Sequence, residues 1–304
     1  MPTVSHKDPS SSSRPRLLLT PAEIADFQET IWRAYDRFGR HDLPWRQPVV
    51  SSPVFAAEEA AEMFDPYAIM VSELMLQQTQ VGRVVPKFDE FTRRFPTIEA
   101  LAEAPLAAVL SAWSGLGYNR RAKFLWQAAA RVVRDFGAQL PTTQAQLVQL
   151  PGIGMNTAGA ILAYAFNQPV VFIETNVRSV FIHHFFADQE RVADADIAQL
   201  VEATLPAEQA YREWYWALMD YGAHLKQTFG NHARRSAAYA RQSKFEGSRR
   251  QVRGAIVRLL GAGPRTLAEL RADIGDERLE SVLGELLAET MIELKTKHYQ
   301  LPGA

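Results

Sequence analysis

Residues 150–158 read Leu150-Pro151-Gly152-Ile153-Gly154-Met155-Asn156-Thr157-Ala158. A helical run at 144–149 meets Pro and Gly, which do not continue a helix, and an Ala-rich apolar run at 157–166 starts a new one. The pattern predicts a helix-hairpin-helix. The amides of Gly152, Ile153 and Gly154 then point outward at the start of the second helix, where the dipole is positive and no side chain obstructs an anion. That is a seat for a phosphate. An ordinary interhelical turn has the same local sequence, so the rest of the chain has to decide.

With 304 residues, 47% hydrophobic and 22% charged, the chain is long enough for a large core and about two domains. No apolar run reaches the length of a membrane span. Residues 1–16 are rich in Ser and Pro and lack the apolar centre of a signal peptide, which predicts a disordered leader on a cytoplasmic protein. Cysteine is absent, which excludes disulfides, thiol nucleophiles and cysteine-ligated clusters. A formal charge of −1 argues against a uniformly basic nucleic-acid binder and directs attention to local patches.

Thr20-Pro21-Ala22-Glu23 is a capping box that starts a helix running to about Phe38. Residues 42–46 (Asp-Leu-Pro-Trp-Arg) break it, and 47–64 reads as a surface insertion. Asp65-Pro66 opens a helix at 67–80 in which Glu73 has Ile69, Met70, Leu76 and Gln77 three and four positions away. Most helical glutamates are solvated; one held among apolar side chains has a raised pKa, which suits a general acid.

Short helices are expected at 97–104 and 105–113, then Gly115-Leu116-Gly117-Tyr118 and a long helix at 120–136. This repeats the helix, Gly-x-Gly, helix pattern. The long helix carries Arg120, Arg121, Lys123, Arg131 and Arg134 before any acid, either a solvated face or a phosphate-facing one. After an apolar connection at 170–173, Thr175 or Asn176 can cap the next helix. Two more follow at 194–205 and 209–222, without alternating strand patterns, so the body is all-α.

Residues 226–258 hold Lys226, Arg234, Arg235, Arg241, Lys244, Arg249, Arg250, Arg253 and Arg258 against Glu246 alone, interleaved with Phe229, Tyr239 and Phe245. That reads as a nucleic-acid footprint or a solvated surface. The final segment predicts helices at 251–260, from the Thr266 capping box, and at 276–290, then strands at 291–295 and 298–301. Three helices and a hairpin resemble a winged helix.

Ser72-Glu73-Leu74-Met75-Leu76-Gln77-Gln78-Thr79-Gln80-Val81 is similar to the catalytic-helix motif of MutY-type adenine DNA glycosylases, in the helix-hairpin-helix (HhH-GPD) superfamily. Leu43-Pro44-Trp45-Arg46, Gly115-Leu116-Gly117-Tyr118 and Leu150-Pro151-Gly152-Ile153-Gly154 match its other blocks in order, so the resemblance covers 24–222. It implies an all-α, two-lobed fold: a body at 19–247, with one lobe at 65–166 and the other at 19–46 plus 167–247, then the winged-helix-like 248–304. The implied partner is double-stranded DNA with a mispaired or damaged base, bound by a monomer that flips the target nucleotide into the cleft.

On matching positions, Glu73 is the general acid and Glu174 the carboxylate that stabilises the cationic sugar, where the family has Asp. Asn176 supports them by hydrogen bonding. Gln78 and Tyr118 are wedges; Gly152, Ile153, Gly154 and Thr157 hold a phosphate; Arg46, Arg120, Lys226, Arg234 and Arg235 contact DNA; Trp45 and Trp216 line the base pocket. Trp216 stands where adenine enzymes carry Glu or Gln. Asn156 stands where bifunctional relatives carry a Schiff-base lysine, implying base release by water without efficient strand cleavage. The family's iron–sulfur cysteines fall at Lys226, Ala233, Ser236 and Gln242, so no cofactor is expected. Adenine opposite guanine or 8-oxoguanine is the implied substrate. Thymine or uracil opposite guanine, and a non-catalytic sensor of distorted DNA, are the alternatives.

Overall fold

A computed structural model describes residues 18–49, 63–207, 209–239 and 244–303. The expected leader at 1–16 and most of the 47–64 insertion lie outside these residues, as do Arg241 and Gln242. Fourteen α-helices and a small sheet occur among the described residues, and no helix is long and apolar enough to cross a membrane.

Helix α1 (Pro21–Phe38) begins at the expected capping box, with Thr20 Oγ1 accepting from Glu23 N and the Glu23 carboxylate accepting from Thr20 N at 2.7 Å. A 3-10 turn (Pro44–Arg46) follows. Helix α2 (Pro66–Leu76), capped by Asp65, buries Ile69, Met70, Val71, Leu74 and Met75, so it is apolar on most sides. It ends four residues before the expected Gln80, because Gln78 turns to φ +57. Helix α3 (Val81–Arg94) is an addition to the sequence reading. Pro86 disguises it, yet the stripe Val84, Phe88 and Phe91 is buried, and that burial overrides the break.

Helices α4 (Ile98–Glu103) and α5 (Leu106–Ala112) pack on α6 (Arg120–Phe136), which ends on Gly137 at φ +60. Then come α7 (Gln144–Leu147), α8 (Met155–Phe166), α9 (Thr175–Phe185), α10 (Asp194–Ala203) and α11 (Tyr211–Thr228). Two boundaries shift from expectation. The hairpin's second helix starts at Met155, and the cap of α9 is Glu174 itself rather than Thr175 or Asn176. Helix α2 packs against α3, α6 and α8, and α11 against α1, α8 and α9, so α8 bridges both groups.

A second 3-10 turn (His232–Arg235) rests on α9. Helices α12 (Arg249–Gly261), α13 (Leu267–Ile274) and α14 (Leu279–Ala288) then precede strands β2 (Glu293–Lys295) and β3 (His298–Gln300). A short strand β1 (Arg265–Thr266) joins them, giving an antiparallel sheet in the order β1-β3-β2. Two residues are too few to show alternation in sequence.

Candidate active site

Glu73 sits in the middle of α2, between the buried Ser72 and Leu74, and keeps partial access to solvent. Burial first, and then the charge of Glu174, push its carboxyl up to about 8 against the pull of Arg46. Tyr164, buried on α8, has its hydroxyl pushed well above the usual range by burial first and then by Glu73. Glu73, Glu174, Arg46 and Tyr164 therefore share one electrostatic neighbourhood, assembled from α2, the start of α9, the first 3-10 turn and α8.

Arg46 departs from expectation. Its side chain is 5% exposed, and it donates from Nη1 to Asp220 Oδ2 at 2.7 Å and from Nη2 to Oδ1 at 3.1 Å. Arg40 binds the same carboxylate through its backbone N at 2.7 Å and its Nε at 2.7 Å. Arg46 is thus a buried framework cation and not a phosphate contact. Burial tends to raise the Asp220 carboxyl, and the Arg46 and Arg40 guanidiniums outweigh it, holding it below the usual range. Removing one partner of such a pair leaves an uncompensated buried charge. Asp220→Ala is expected to cost about 3–5 kcal/mol of unfolding free energy, read from the urea midpoint.

The Arg46 guanidinium lies 5.1 Å from the Trp216 ring centre, and Trp216 stacks on Tyr164 at 5.8 Å and 24°. Trp216, itself 5% exposed, is thus tied to this neighbourhood through Arg46 and Tyr164. Trp45 is 6% exposed and packs edge-on against Phe88 at 5.3 Å, which makes it core rather than a lining of this neighbourhood.

Glu174 caps α9, accepting from Thr175 N at 3.0 Å. Asn156 reaches across from α8: its Nδ2 donates to Ile173 O at 3.1 Å and its Oδ1 accepts from Ile173 N at 3.4 Å. The residue before the candidate carboxylate is thereby gripped at both backbone groups. On the other side, a Cβ on Gly222 of α11 would collide with the backbone of Asn176, so glycine there lets α11 close on the start of α9.

In the hairpin, Gly152 has φ +80, and a Cβ on it would meet Phe124 Cβ at 2.8 Å. Gly154 has φ −90, and a Cβ there would meet nothing within 4 Å. The first glycine is required by the fold; the second leaves open space where a ligand can approach. Ile153 is 4% exposed and anchors the loop, so only its amide is available to a ligand. Thr157 Oγ1 accepts from Gln77 Nε2 at 3.3 Å, tying the hairpin to the end of α2. Gly154→Ala is expected to leave the melting temperature within about 1 °C and weaken duplex binding several-fold, whereas Gly152→Ala costs roughly 1–3 kcal/mol. Thermal unfolding and an anisotropy titration separate the two.

Gln78 and Tyr118 both occupy the left-handed region, at φ +57 and +49, uncommon for residues with side chains. Arg121 holds them there. It is 8% exposed and donates to Leu74 O (2.7 Å), Met75 O (2.9 Å), Gln77 O (2.5 Å), Thr79 Oγ1 (2.9 Å) and Gly117 O (3.1 Å). One guanidinium thus caps α2 and fastens both loops. Burial lowers its pKa to about 10. In sequence it is one of five cations on a solvated or phosphate-facing helix, yet Arg121 lies four, seven and eleven residues before Leu125, Ala128 and Val132, on the buried stripe of α6. For Tyr164 the sequence signal is its place in an apolar Ala-rich helix, which leaves little room for a solvated phenol.

Arg120 is exposed and pairs with Glu289. Lys226 and Arg234 are exposed, while Arg235 donates to the carbonyls of Phe186 (2.8 Å), Ala187 (2.7 Å) and Ile182 (3.2 Å), capping α9. It is a structural clamp on the end of α9. Ser236 Oγ donates to Asp194 at 3.3 Å, and Ala233 is buried. Of the positions expected for cluster ligands, Lys226, Ala233 and Ser236 offer no thiolate, so they do not fit an iron–sulfur cluster. Among the described residues, no three His, Cys, Asp or Glu are grouped to hold a metal ion.

Residues 71–204 match the HhH-GPD superfamily of base excision DNA repair proteins. The chain is 35% identical over 311 residues to the adenine DNA glycosylase of Mycobacterium tuberculosis (strain CDC 1551 / Oshkosh), covering 93% of this chain and 95% of that one. It is 34% identical over 198 residues to the adenine DNA glycosylase of Buchnera aphidicola (subsp. Baizongia pistaciae), covering 65% of this chain and 52% of that relative. The structure of a thermostable thymine-DNA glycosylase has a similar fold, with a TM-score of 0.54 at 24% identity over 66% of this chain and 86% of that one. An alignment that runs nearly end to end with the mycobacterial protein, over a fold of this kind, means that the chain belongs to the HhH-GPD superfamily of base excision DNA repair proteins, in its family of adenine DNA glycosylases.

Proposed function

We propose that this DNA glycosylase removes adenine opposite guanine or 8-oxoguanine from duplex DNA, by hydrolysis and without efficient strand cleavage. The observation that carries the reading is the Glu73 carboxyl, lifted to about 8 beside a second carboxylate. At neutral pH it holds a proton and can donate it to the purine. The glycosidic bond then breaks with its electron pair leaving on the base, and the cationic sugar forms near Glu174. Glu73, now a carboxylate, takes a proton from the water that attacks the sugar.

Gln78 and Tyr118, at the tips of the strained loops, serve as wedges in the stack left by the flipped nucleotide. The hairpin amides around Gly154 hold a backbone phosphate. Asn156 has no basic amine with which to form a Schiff base, which supports release by water. The mechanism uses no cofactor, and one chain supplies every residue it needs.

Trp216 gives a second reading a foothold. Its ring offers stacking without the carboxyl or amide that adenine enzymes place near the base, so thymine or uracil opposite guanine is the alternative. Incubation with duplexes carrying A:G, A:8-oxoguanine, T:G and U:G pairs, scored for alkali-labile abasic sites with Glu73→Gln as control, decides. Adenine loss alone supports the first reading, and thymine or uracil loss alone replaces it. A high yield of borohydride-trapped adduct would refute release by water.

A further inference from the structure

The C-terminal helices stand over the wedge and the hairpin. Tyr118 and Gly152, from the body, line one cavity of about 670 Å³ together with Arg250 and Arg253 of α12, Glu285 of α14 and Glu289 just beyond it. Tyr118 is engaged from the same side: its hydroxyl accepts from Arg250, whose guanidinium lies 5.1 Å from the ring centre. Arg120, two residues on, donates from Nε to Glu289 at 3.3 Å, and Lys123 donates to Glu289 O and Thr290. The backbone also joins, with Ala107 N donating to Pro302 O at 3.2 Å.

Two features suggest that this contact opens. Beside the packing of α12 on α5, it is held around two cavities, the second about 490 Å³ between Gly115–Asn119 and α12, by the Arg120–Glu289 ion pair and the Arg250 and Lys123 hydrogen bonds, and such polar contacts separate more readily than packed cores. It also places α12 and α14 opposite Tyr118 and Gly152, on the side from which a duplex would reach the wedge and the hairpin.

We propose that Arg120 and Lys123 form a phosphate-binding site that Glu289 occupies in the DNA-free protein. The C-terminal segment is then a latch that DNA phosphates displace, releasing Tyr118 from Arg250. The proposal rests on the reading that duplex DNA lies on the hairpin and wedge. It casts Glu289 as an internal stand-in for a phosphate, paired meanwhile with Arg253 at 3.1 Å. Displacement exchanges a carboxylate for a phosphate at Arg120, so the cation is paired in both states.

The absence of cysteine makes a direct test available. A Cβ built on Gly303 lies 3.7 Å from Pro105 Cβ, within the roughly 3.5–4.5 Å of a disulfide. In Pro105→Cys/Gly303→Cys, the oxidised protein should bind a mispaired duplex at least about tenfold more weakly than wild type, and dithiothreitol should restore binding. In a separate cysteine-free variant, Glu289→Gln should raise affinity about three- to tenfold. Equal affinity of the oxidised and reduced forms would overturn the latch while leaving the DNA-binding reading intact. Failure of the reduced form and of wild type to bind would overturn both. Should the disulfide fail to form, unchanged affinity in Glu289→Gln overturns the latch on its own.

Discussion

Glu73→Gln lowers the single-turnover rate of base excision by at least about a thousandfold, with duplex affinity within a few-fold of wild type. Gln keeps the shape of the side chain and removes the proton that the departing purine needs. Because the carboxyl titrates near 8, the wild-type rate should fall as pH rises through that value, and this limb should vanish with the variant's residual activity.

The same group has a stability signature of opposite use. The folded state holds a proton on Glu73 that the unfolded chain releases above its ordinary value of 4.5. The stabilisation is complete below that value and is lost as pH rises towards about 8, because the native state must then either keep the proton or bury a charge. Each pKa unit corresponds to about 1.4 kcal/mol. Glu73→Gln should therefore be the more stable protein at pH 9, by a few kcal/mol, and the gap should narrow towards pH 5. Paired urea titrations at the two pH values measure it.

Much of this site can be read from residue order. A glutamate inside an apolar helix, a Pro-Gly-x-Gly hairpin and a second Gly-x-Gly loop are local patterns, and each folds as local rules predict. What escapes is long-range pairing. Arg46, Arg121 and Arg235 look alike in sequence, as cations near glycine or in basic runs. In the fold all three turn inward, to Asp220, to the end of α2 and to the end of α9. A guanidinium offers five donors on a long apolar stem, so it can serve as a buried cap as readily as a phosphate contact. Only the partner decides, and the partners lie 174, 47 and 49 residues away. The same holds in the C-terminal basic run, where Arg249 and Arg253 meet Glu285 of α14, more than thirty residues distant.

Glu174 yields the second large effect. The family pattern has Asp there, and the extra methylene carries the carboxylate about 1.5 Å further from the backbone, a displacement large enough to matter for a charge aimed at a forming cation. The surroundings are arranged to hold that longer side chain. Asn156 grips both backbone groups of Ile173, Thr175 N donates to the carboxylate, and the start of α9 favours negative charge. If the backbone is set for Glu, shortening to Asp does not restore the family geometry but withdraws the charge. Glu174→Asp should then slow excision about 10- to 100-fold, and Glu174→Gln about 100- to 1,000-fold, both with duplex affinity nearly unchanged. Asn156→Ala should slow wild type about tenfold and cost much less in the Glu174→Gln background, since the grip matters only while there is a charge to aim. Single-turnover rates for the four proteins close the cycle. Equal losses from Asn156→Ala in both backgrounds would mean that Asn156 does not work through Glu174.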